Sequence, residues 1–343
     1  MIQMPKKISL EKGDRILISR TDRIGDLILT IPLIESVKAN YPECLVDVLA
    51  SDYAAPVLEN NISINEVIKI NNNSLKSDGD YFQKLCETLQ SNNYKVALVI
   101  YPDKIISKII FKSKIPIRVG TARRFKSIYF TRFLFHSRKA NKKHESEYNL
   151  DYLKIFESSK AGNIPHIYLK EEEINDAKKV LTDAKISGRF IVLHPGSGGS
   201  ADCWPLGHFI ELCYILKERN YNVVLTGSSE EKKEFDKIAD RKDVSLINLA
   251  GKTDVRTLAG ILFLADVVVA NSTGPLHLAA AVGTKVVGLY PNNFAMSPVR
   301  WGPLGKGHQV LQPPNEKDKM SAMKPEDIAK TVISIMSNSE VRK

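Results

Sequence analysis

The segment that most constrains the fold is residues 267–283, with the sequence VVVANSTGPLHLAAAVG. Its apolar start is typical of a parallel strand covered on both faces, and its small residues are typical of a closely packed helix. Ser272 or Thr273 can cap that helix, and Gly274 lets a ligand approach the backbone. Free N–H groups at such a helix start favour an anion, most simply a phosphate. The alternative is an ordinary strand-to-helix turn with a hydrogen-bonded His277, which the same sequence would also form.

Strand and helix patterns alternate along most of the chain. The predicted strands are 15–20, 45–49, 66–70, 96–101, 115–120, 190–194, 222–226, 245–249, 266–270 and 285–290. This alternation indicates right-handed βαβ units and parallel sheets. We therefore predict an α/β protein with two Rossmann-like, doubly wound domains that face a central cleft, with ligands at the carboxyl ends of the strands.

Helical patterns and breaks set the domain limits. A helix is predicted at 27–40 after the first strand, and further helices are predicted near 206–218, 230–239 and 255–264. Gly162 and Pro165 interrupt the pattern between the two halves. The predicted domains are therefore residues 1–165 and 166–325. Residues 326–343 are predicted to form an amphipathic helix and a tail that packs back on the N-terminal domain.

Composition permits a large core, since 43% of the 343 residues are hydrophobic, but the net charge of +10 is unevenly distributed. Residues 104–143 contain thirteen Lys or Arg and no Asp or Glu, which leaves 36 basic against 39 acidic residues elsewhere. Aromatic residues are interleaved with these cations. The segment predicts an anionic partner with some apolar surface, although a solvated basic face is the alternative. Nucleic acid is not predicted, because no nucleic-acid motif accompanies the charge.

Targeting and metal signals are weak. No apolar run approaches the roughly 18 residues of a membrane span, and the N-terminus lacks a signal-peptide core, so we predict a cytoplasmic protein. The four cysteines show no metal or redox spacing, which predicts neither a metal site nor a structural disulfide. The acidic triplet 78–80 (DGD) lies among turn-forming residues and is interpreted as a turn.

Three more turns rich in Gly, Ser and Thr follow predicted strands, at 195–200, 226–230 and 250–253. The first can cradle a phosphate, although it matches neither the Walker loop nor the dinucleotide fingerprint. The second offers Glu230 or Glu231 to a ribose. Together with residues 271–281, these turns predict a nucleotide-diphosphate site in the second half.

Asp26 is the notable residue of the first half. It follows the first strand in the turn 20–26 (RTDRIGD) and begins a predicted helix. A carboxylate there is either a helix cap or a general base that takes a proton from an acceptor hydroxyl.

Four motifs together resemble glycosyltransferase family 9, the lipopolysaccharide heptosyltransferases. They occur in the family's order and are RTDRIGDLILTIP (20–32), LHPGS (193–197) with Trp204-Pro205, LAGKT (249–253) and NSTGPLHLAAA (271–281). The resemblance implies a GT-B fold with an acceptor-binding N-terminal domain and a C-terminal domain that binds an ADP-sugar. It also implies inverting transfer that needs no metal and no cofactor.

The resemblance assigns roles residue by residue. Asp26 matches the proposed general base. Ser197 matches the donor-phosphate loop, Thr273, Gly274 and His277 match the turn at the diphosphate, and Glu230 or Glu231 matches the ribose-side acid. The other predicted donor-binding positions are Gly198, Lys252, Thr253 and Ser272. An anionic lipid-linked oligosaccharide acceptor, reached by peripheral contact with the inner face of the cytoplasmic membrane, would bind at Arg23, Arg123, Arg124 and Lys126.

Two positions depart from the family pattern. Asp202 stands where well-studied members have a lysine for the donor phosphates, and Ser272 stands where many have Asp. The candidates for a substitute cation are Lys252, Arg300 and Lys306. These departures leave two alternatives open, a nucleotide-sugar epimerase of the same fold and a catalytically silent nucleotide- or glycan-binding homologue.

Overall fold

The computed structural model describes residues 7–121, 128–135, 137–158, 161–196, 202–240 and 247–338. The chain divides into two compact units, Met1–Pro165 and His166–Lys343. Among the described residues, no helix combines the length and apolar character that crossing a membrane requires.

The first unit is a parallel sheet with helical connections. Its described strands are β1 (Arg15–Ser19), β2 (Leu45–Ser51), β3 (Glu66–Ile70), β4 (Val96–Val99), β5 (Ile117–Thr121) and β6 (Arg132–Leu134). Its described helices are α1 (Ile24–Ile28), α2 (Ile31–Asn40), α3 (Ser74–Ser77), α4 (Gly79–Ser91), α5 (Lys104–Lys112) and α6 (Glu145–Leu150). The strand order is β3-β2-β1-β4-β5-β6. β1 lies in the middle, and its Ile16, Leu17 and Ile18 are fully buried.

The helix predicted at 27–40 is wrong as a single element. The structure has two helices there, α1 and α2, separated by Leu29 and Thr30. Pro32 explains the break, because proline lacks an N–H for the preceding turn and fits in the first turn of a new helix. The result is a short α1 that carries Asp26 in its first turn.

The second unit has the same architecture. Its described strands are β7 (Phe190–His194), β8 (Asn222–Leu225), β9 (Ile247–Asn248), β10 (Val267–Asn271), β11 (Lys285–Leu289) and β12 (Gln309–Leu311). Its described helices are α7 (Glu171–Asp183), α8 (Leu206–Glu218), α9 (Ser229–Asp240), α10 (Val255–Leu264), α11 (Gly274–Ala281), α12 (Pro298–Trp301) and α13 (Pro325–Ser337). The parallel order is β12-β11-β10-β7-β8-β9.

The C-terminal helix α13 belongs to the second unit. Its apolar residues Ile328, Val332 and Met336 lie in the same core cluster as Phe209 and Cys213 of α8. The expectation that residues 326–343 pack back on the N-terminal domain stays a prediction, and residues 339–343 lie outside the described residues. The amphipathic pattern predicted the helix but did not identify the surface that it covers.

Both sheets reverse their strand order once. The reversal lies between β1 and β4 in the first unit and between β7 and β10 in the second. Ligands of open α/β sheets bind at such switch points, outside the carboxyl ends of the strands. These two places are therefore the natural candidates for a functional site.

Candidate active site

At the first switch point, a buried arginine holds three carboxylates. Arg20 directly follows β1 and only 3% of its side chain is exposed. Its guanidinium pairs with Asp22 at 2.7 Å, with Glu145 at 3.2 Å and with Asp26. Glu145, the first residue of α6, is 1% exposed and also accepts from Arg138 Nε at 2.9 Å.

These carboxylates keep Arg20 charged. Burial alone lowers the pKa of Arg20, but the nearby charges of Asp22, Asp26 and Glu145 raise it above its ordinary value. Asp26 is 15% exposed, so its carboxylate reaches the surface while it contacts a buried cation. A carboxylate ion-paired with a guanidinium stays in the form that can accept a proton. The geometry therefore permits Asp26 to act as a base. Asp26 is also the acidic residue in the first turn of α1.

The basic segment 104–143 is only partly a solvated face. Arg118 donates to Tyr129 O at 2.8 Å, Arg138 binds Glu145, and Lys143 binds Asp151 at 2.9 Å. Phe135, by contrast, is 88% exposed, and Phe133 of β6 is also exposed. The segment therefore joins cations with exposed aromatic surface. Arg23 is exposed at the N-cap of α1, whereas Arg123, Arg124 and Lys126 lie outside the described residues.

At the second switch point, a buried histidine stands at the end of β7. His194, the last residue of β7, is buried, and its Nδ1 lies 2.9 Å from Thr226 Oγ1 at the end of β8. Burial lowers the pKa of His194 to about 4, although the charge of Glu231 opposes the shift. His194 is therefore uncharged at neutral pH and supplies a hydrogen bond rather than a cation.

Asn271 ties down both ends of the loop that follows β7. Its buried Oδ1 accepts from Trp204 N at 2.9 Å, and its Nδ2 donates to Pro195 O at 2.7 Å. The predicted phosphate-loop residues Ser197 and Gly198 fall between these anchors and lie outside the described residues. One fully buried amide at the end of β10 thus fixes where this loop leaves β7 and where it meets α8.

The turn from β10 into α11 leaves its helix start without a side-chain cap. Thr273 occupies the N-cap position, but its hydroxyl donates to Asn271 O at 3.2 Å instead of accepting from the first turn. Gly274 begins the helix, and Ser272 N donates to Leu289 O at 3.1 Å. His277 follows within α11 and is buried. The Thr273 hydroxyl therefore accepts no hydrogen bond from the N–H groups in the first turn of α11.

The two remaining turns contact each other. Gly251 N donates to Gly227 O at 2.9 Å, which brings the turn after β9 beside the turn after β8. Glu231 accepts from Ser228 N at 2.7 Å, and a methyl group at Gly196 would overlap its carboxylate. Glu231 therefore lies among the turns, whereas Glu230 is exposed. Lys252 and Thr253 follow Gly251, and the Lys252 side chain is exposed.

The three candidate substitute cations differ in position. Lys306 lies beside Gly307, which packs on Lys285 at the amino end of β11, so it is at the wrong edge of the sheet. Arg300 stacks on Trp301 with 4.4 Å between guanidinium and ring, and Trp301 O accepts from Tyr290 Oη. Lys252 and Arg300 thus remain as candidates. Asp202 is exposed.

The described residues contain no group of three His, Cys, Asp or Glu placed to hold a metal ion.

The acidic triplet at 78–80 is part of a helix start, where Asp78 caps α4 by accepting from Asp80 N and Tyr81 N. The interpretation of residues 78–80 as a turn is therefore wrong for Gly79 and Asp80, which form the start of α4.

Comparison with known proteins identifies the family. The model of glycosyltransferase family 9 (heptosyltransferase) matches residues 82–331. The chain belongs to glycosyltransferase family 9. It is therefore an enzyme of the glycosyltransferase class, as the sequence motifs predicted.

Relatives cover most of this family 9 chain. Lipooligosaccharide heptosyltransferase 2 of Haemophilus influenzae is 29% identical over 294 residues, which are 80% of this chain and 82% of the relative. A family 9 glycosyltransferase from Veillonella parvula superposes with a TM-score of 0.84 at 18% identity, covering 96% of this chain and 98% of that one. The ADP-heptose lipopolysaccharide heptosyltransferase II of Escherichia coli gives 0.79 at 21% identity, with coverage of 94% and 98%. These structures confirm the predicted two-domain GT-B fold class.

Three residues of the candidate site were not predicted as functional from the sequence. Arg20 stands at the start of the motif 20–32, and the signal that was missed is its place directly after an apolar strand with Asp22 and Asp26 close behind it. Glu145 follows the basic segment and carries no periodic or motif signal. Asn271 belongs to the motif 271–281 but was not predicted as a functional residue, although a polar residue at the end of a buried apolar strand requires hydrogen-bond partners.

Proposed function

We propose that this glycosyltransferase moves a heptose from ADP-heptose to an inner-core lipopolysaccharide acceptor, with Asp26 as general base. The observation that carries the proposal is Asp26 itself, a partly exposed carboxylate held by a buried arginine at a switch point. The E. coli relative named for ADP-heptose supports the choice of donor. The second switch point supports it too, because it gathers turns suited to a diphosphate.

The reaction is a direct displacement. Asp26 takes the proton of the acceptor hydroxyl, and that oxygen forms a bond to the anomeric carbon of the heptose. The bond from this carbon to the ADP oxygen breaks, ADP leaves with the electron pair, and the anomeric configuration inverts. Fixed N–H groups at the start of α11, together with His277, stabilise the charge that develops on the diphosphate.

Donor binding falls to the second unit. Thr273 and Gly274 approach the diphosphate through the backbone, while Ser197 and Gly198 belong to the loop that Asn271 anchors. Glu231 takes the ribose-facing role, because its carboxylate lies among the turns and that of Glu230 does not. Asp202 replaces the lysine that contacts the donor phosphates in other members, so Lys252 or Arg300 supplies the positive charge for these phosphates instead.

Acceptor binding falls to the first unit. Arg23, Arg123, Arg124 and Lys126 bind the anionic sugars or phosphates of the lipid-linked oligosaccharide. The exposed aromatic side chains of Phe133 and Phe135 favour peripheral contact with the inner face of the cytoplasmic membrane. This places the enzyme where a lipid-bound acceptor is accessible.

The test is incubation with ADP-heptose, with and without a Kdo-bearing lipid acceptor. We expect release of ADP that depends on the acceptor, together with a heavier lipid product in mass spectrometry. Conversion of ADP-heptose without acceptor would instead identify an epimerase. Binding of ADP-heptose without any conversion would identify a silent homologue. Either of these results would overturn the proposal.

A further inference from the structure

The helix α6 reaches Asp26 by two separate routes. The first runs through side chains, because Glu145 Oε1 accepts from Arg20 Nη1 at 3.2 Å and Arg20 pairs with Asp26. Arg138 Nε donates to the same Glu145 oxygen at 2.9 Å. Glu145 thus fixes the guanidinium that in turn contacts the Asp26 carboxylate.

The second route runs to the backbone of Asp26. Asn149 stands four residues after Glu145 and therefore on the same side of α6. Its Nδ2 donates to Leu29 O at 2.9 Å and to Thr30 Oγ1 at 3.2 Å. The Thr30 hydroxyl donates in turn to Asp26 O at 2.9 Å. Arg138 Nη2 joins the routes by donating to Asn149 Oδ1 at 3.0 Å.

We propose that Glu145 and Asn149 are positioning residues that set the place and orientation of the Asp26 carboxylate. This inference rests on the proposed function for its kinetic consequence only. A general base must stand within hydrogen-bond reach of the proton that it removes, and small displacements are costly. Two anchors on one helix, one to the side chain and one to the main chain, constrain Asp26 in a way that neither route achieves alone.

Charge adds a second reason for Glu145. The five side chains of Arg20, Arg138, Asp22, Asp26 and Glu145 carry two positive and three negative charges. Arg20 is therefore shared among carboxylates instead of being neutralised by Asp26 alone. Without the charge of Glu145, the guanidinium would turn toward its remaining carboxylates and shift Asp26.

The unit also contains a matched control. Asp47 of β2 is fully buried and binds Arg15 Nη2 at 2.6 Å, Asn65 Nδ2 at 2.8 Å and Tyr94 Oη at 2.8 Å. Arg15 begins β1, so this network lies toward the amino end of the strand whose other end carries Arg20. Asp47→Asn removes a buried carboxylate from an arginine network without touching α6.

The first measurement needs no activity. Protein labelled with 13C at the aspartate carboxyl carbons gives a resonance for Asp26 that is assigned by its loss in Asp26→Asn. We expect Glu145→Gln to shift or split this resonance, Thr30→Val to shift it less, and both Thr30→Ser and Asp47→Asn to leave it in place. An unmoved resonance in folded Glu145→Gln and Thr30→Val would overturn the positioning role. Thr30→Val keeps the shape of the side chain, so it decides the question if Glu145→Gln does not fold.

The second measurement is acceptor-dependent ADP release. Glu145→Gln should lower kcat roughly tenfold or more, because the base is misplaced. Thr30→Val should lower it about fivefold, the worth of one hydrogen bond, and Thr30→Ser should restore it. The KM for the donor should not change in any of them. A loss of kcat in Asp47→Asn equal to that in Glu145→Gln would overturn the inference, because the effect would then follow from stability alone.

The two proposals fail in different ways. If the wild-type enzyme releases no ADP while the Asp26 resonance still responds to Glu145→Gln, the proposed function fails and the positioning role stands. If Asp26→Asn abolishes turnover while Glu145→Gln leaves both kcat and the resonance unchanged, only the positioning role fails.

Discussion

The two switch points have the same strand order, but their buried side chains differ in charge. In the first unit, Arg20 is buried with carboxylates that include Glu145. In the second, the corresponding crevice holds the neutral groups of His194, Thr226 and Asn271. One topology therefore supports two kinds of chemistry. Fixed side-chain charge suits proton transfer, whereas neutral anchors leave backbone N–H groups for an incoming anion.

The sharpest way to break this comparison is Asp26→Asn. The substitution keeps the shape of the side chain but removes its basicity, so kcat should fall by roughly 100-fold or more. The Kd for ADP should stay unchanged, because the donor is assigned to the second unit. Steady-state kinetics and titration calorimetry measure the two quantities. Turnover within twofold of wild type would remove Asp26 as the base.

The second prediction concerns acid stability. The folded pKa of His194, about 4, lies below the ordinary value of 6.5. The neutral state therefore stabilises the fold above pH 6.5, and this stabilisation, about 3 kcal/mol, is lost as the pH falls toward 4. Both tryptophans, Trp204 and Trp301, lie in the second unit, so their fluorescence in urea reports its unfolding.

His194→Asn is the matched variant, because an amide can still hydrogen-bond Thr226. It should be less stable than wild type at pH 7 and should lose less free energy of unfolding between pH 7 and pH 4. Parallel losses in the two proteins would show that His194 does not titrate in this window. Arg20 keeps its charge over the same range, since its pKa is raised.

The third prediction compares an Asn→Ala substitution in one unit with an Asn→Ala substitution in the other. Asn271→Ala removes both anchors of the loop after β7. If the loop then spends roughly a tenth of its time in the binding geometry, the Kd for ADP rises tenfold. Asn149→Ala, in the first unit, should leave that Kd unchanged and lower kcat instead. Equal effects of the two variants on ADP binding would contradict the division between the units.

The smallest expected effect concerns salt. Replacing Arg123, Arg124 and Lys126 with Gln should raise the KM for the acceptor roughly three- to tenfold at low ionic strength, and the difference should shrink as salt screens the charges. The KM for the donor should not respond. Lys84→Gln, an exposed lysine of α4, is the control. An acceptor KM that is independent of salt would argue against a basic acceptor site.

The long, well-bounded elements could be predicted from the sequence. The predicted limits of β7, α8 and α10 match the structure, because strong signals stand at their ends. Asp254, for example, caps α10 by accepting from Thr257 N. The edge strands β6 and β12 were missed, because three residues are too few to show the alternation of apolar and polar residues that predicts a strand. The helix α5 was missed despite a signal, namely Asp103 as cap and Ile106, Ile109 and Ile110 at helical spacing.

The candidate site was predictable where its residues are local in the chain. Asp26 and the turn around Gly274 stand in continuous motifs, so their places follow from neighbouring residues. Glu145 does not, because its partner Arg20 is 125 residues away and nothing local requires an acid at that position. The choice between Glu230 and Glu231 also needed the fold, since spacing alone does not say which carboxylate turns toward Gly196.

The distance in sequence between Arg20 and Glu145 also sets an order of events during synthesis. A nascent chain that ends at residue 121 already contains β1 to β5, with Arg20, Asp22 and Asp26 in place along it. The third carboxylate arrives only with α6, near the end of the first unit. Domains generally fold as units, and here docking of the last helix brings the partner that the buried guanidinium lacks until then. A first unit truncated before α6 would therefore still contain strands β1 to β6, but it would lack the helix whose contacts position the Asp26 carboxylate.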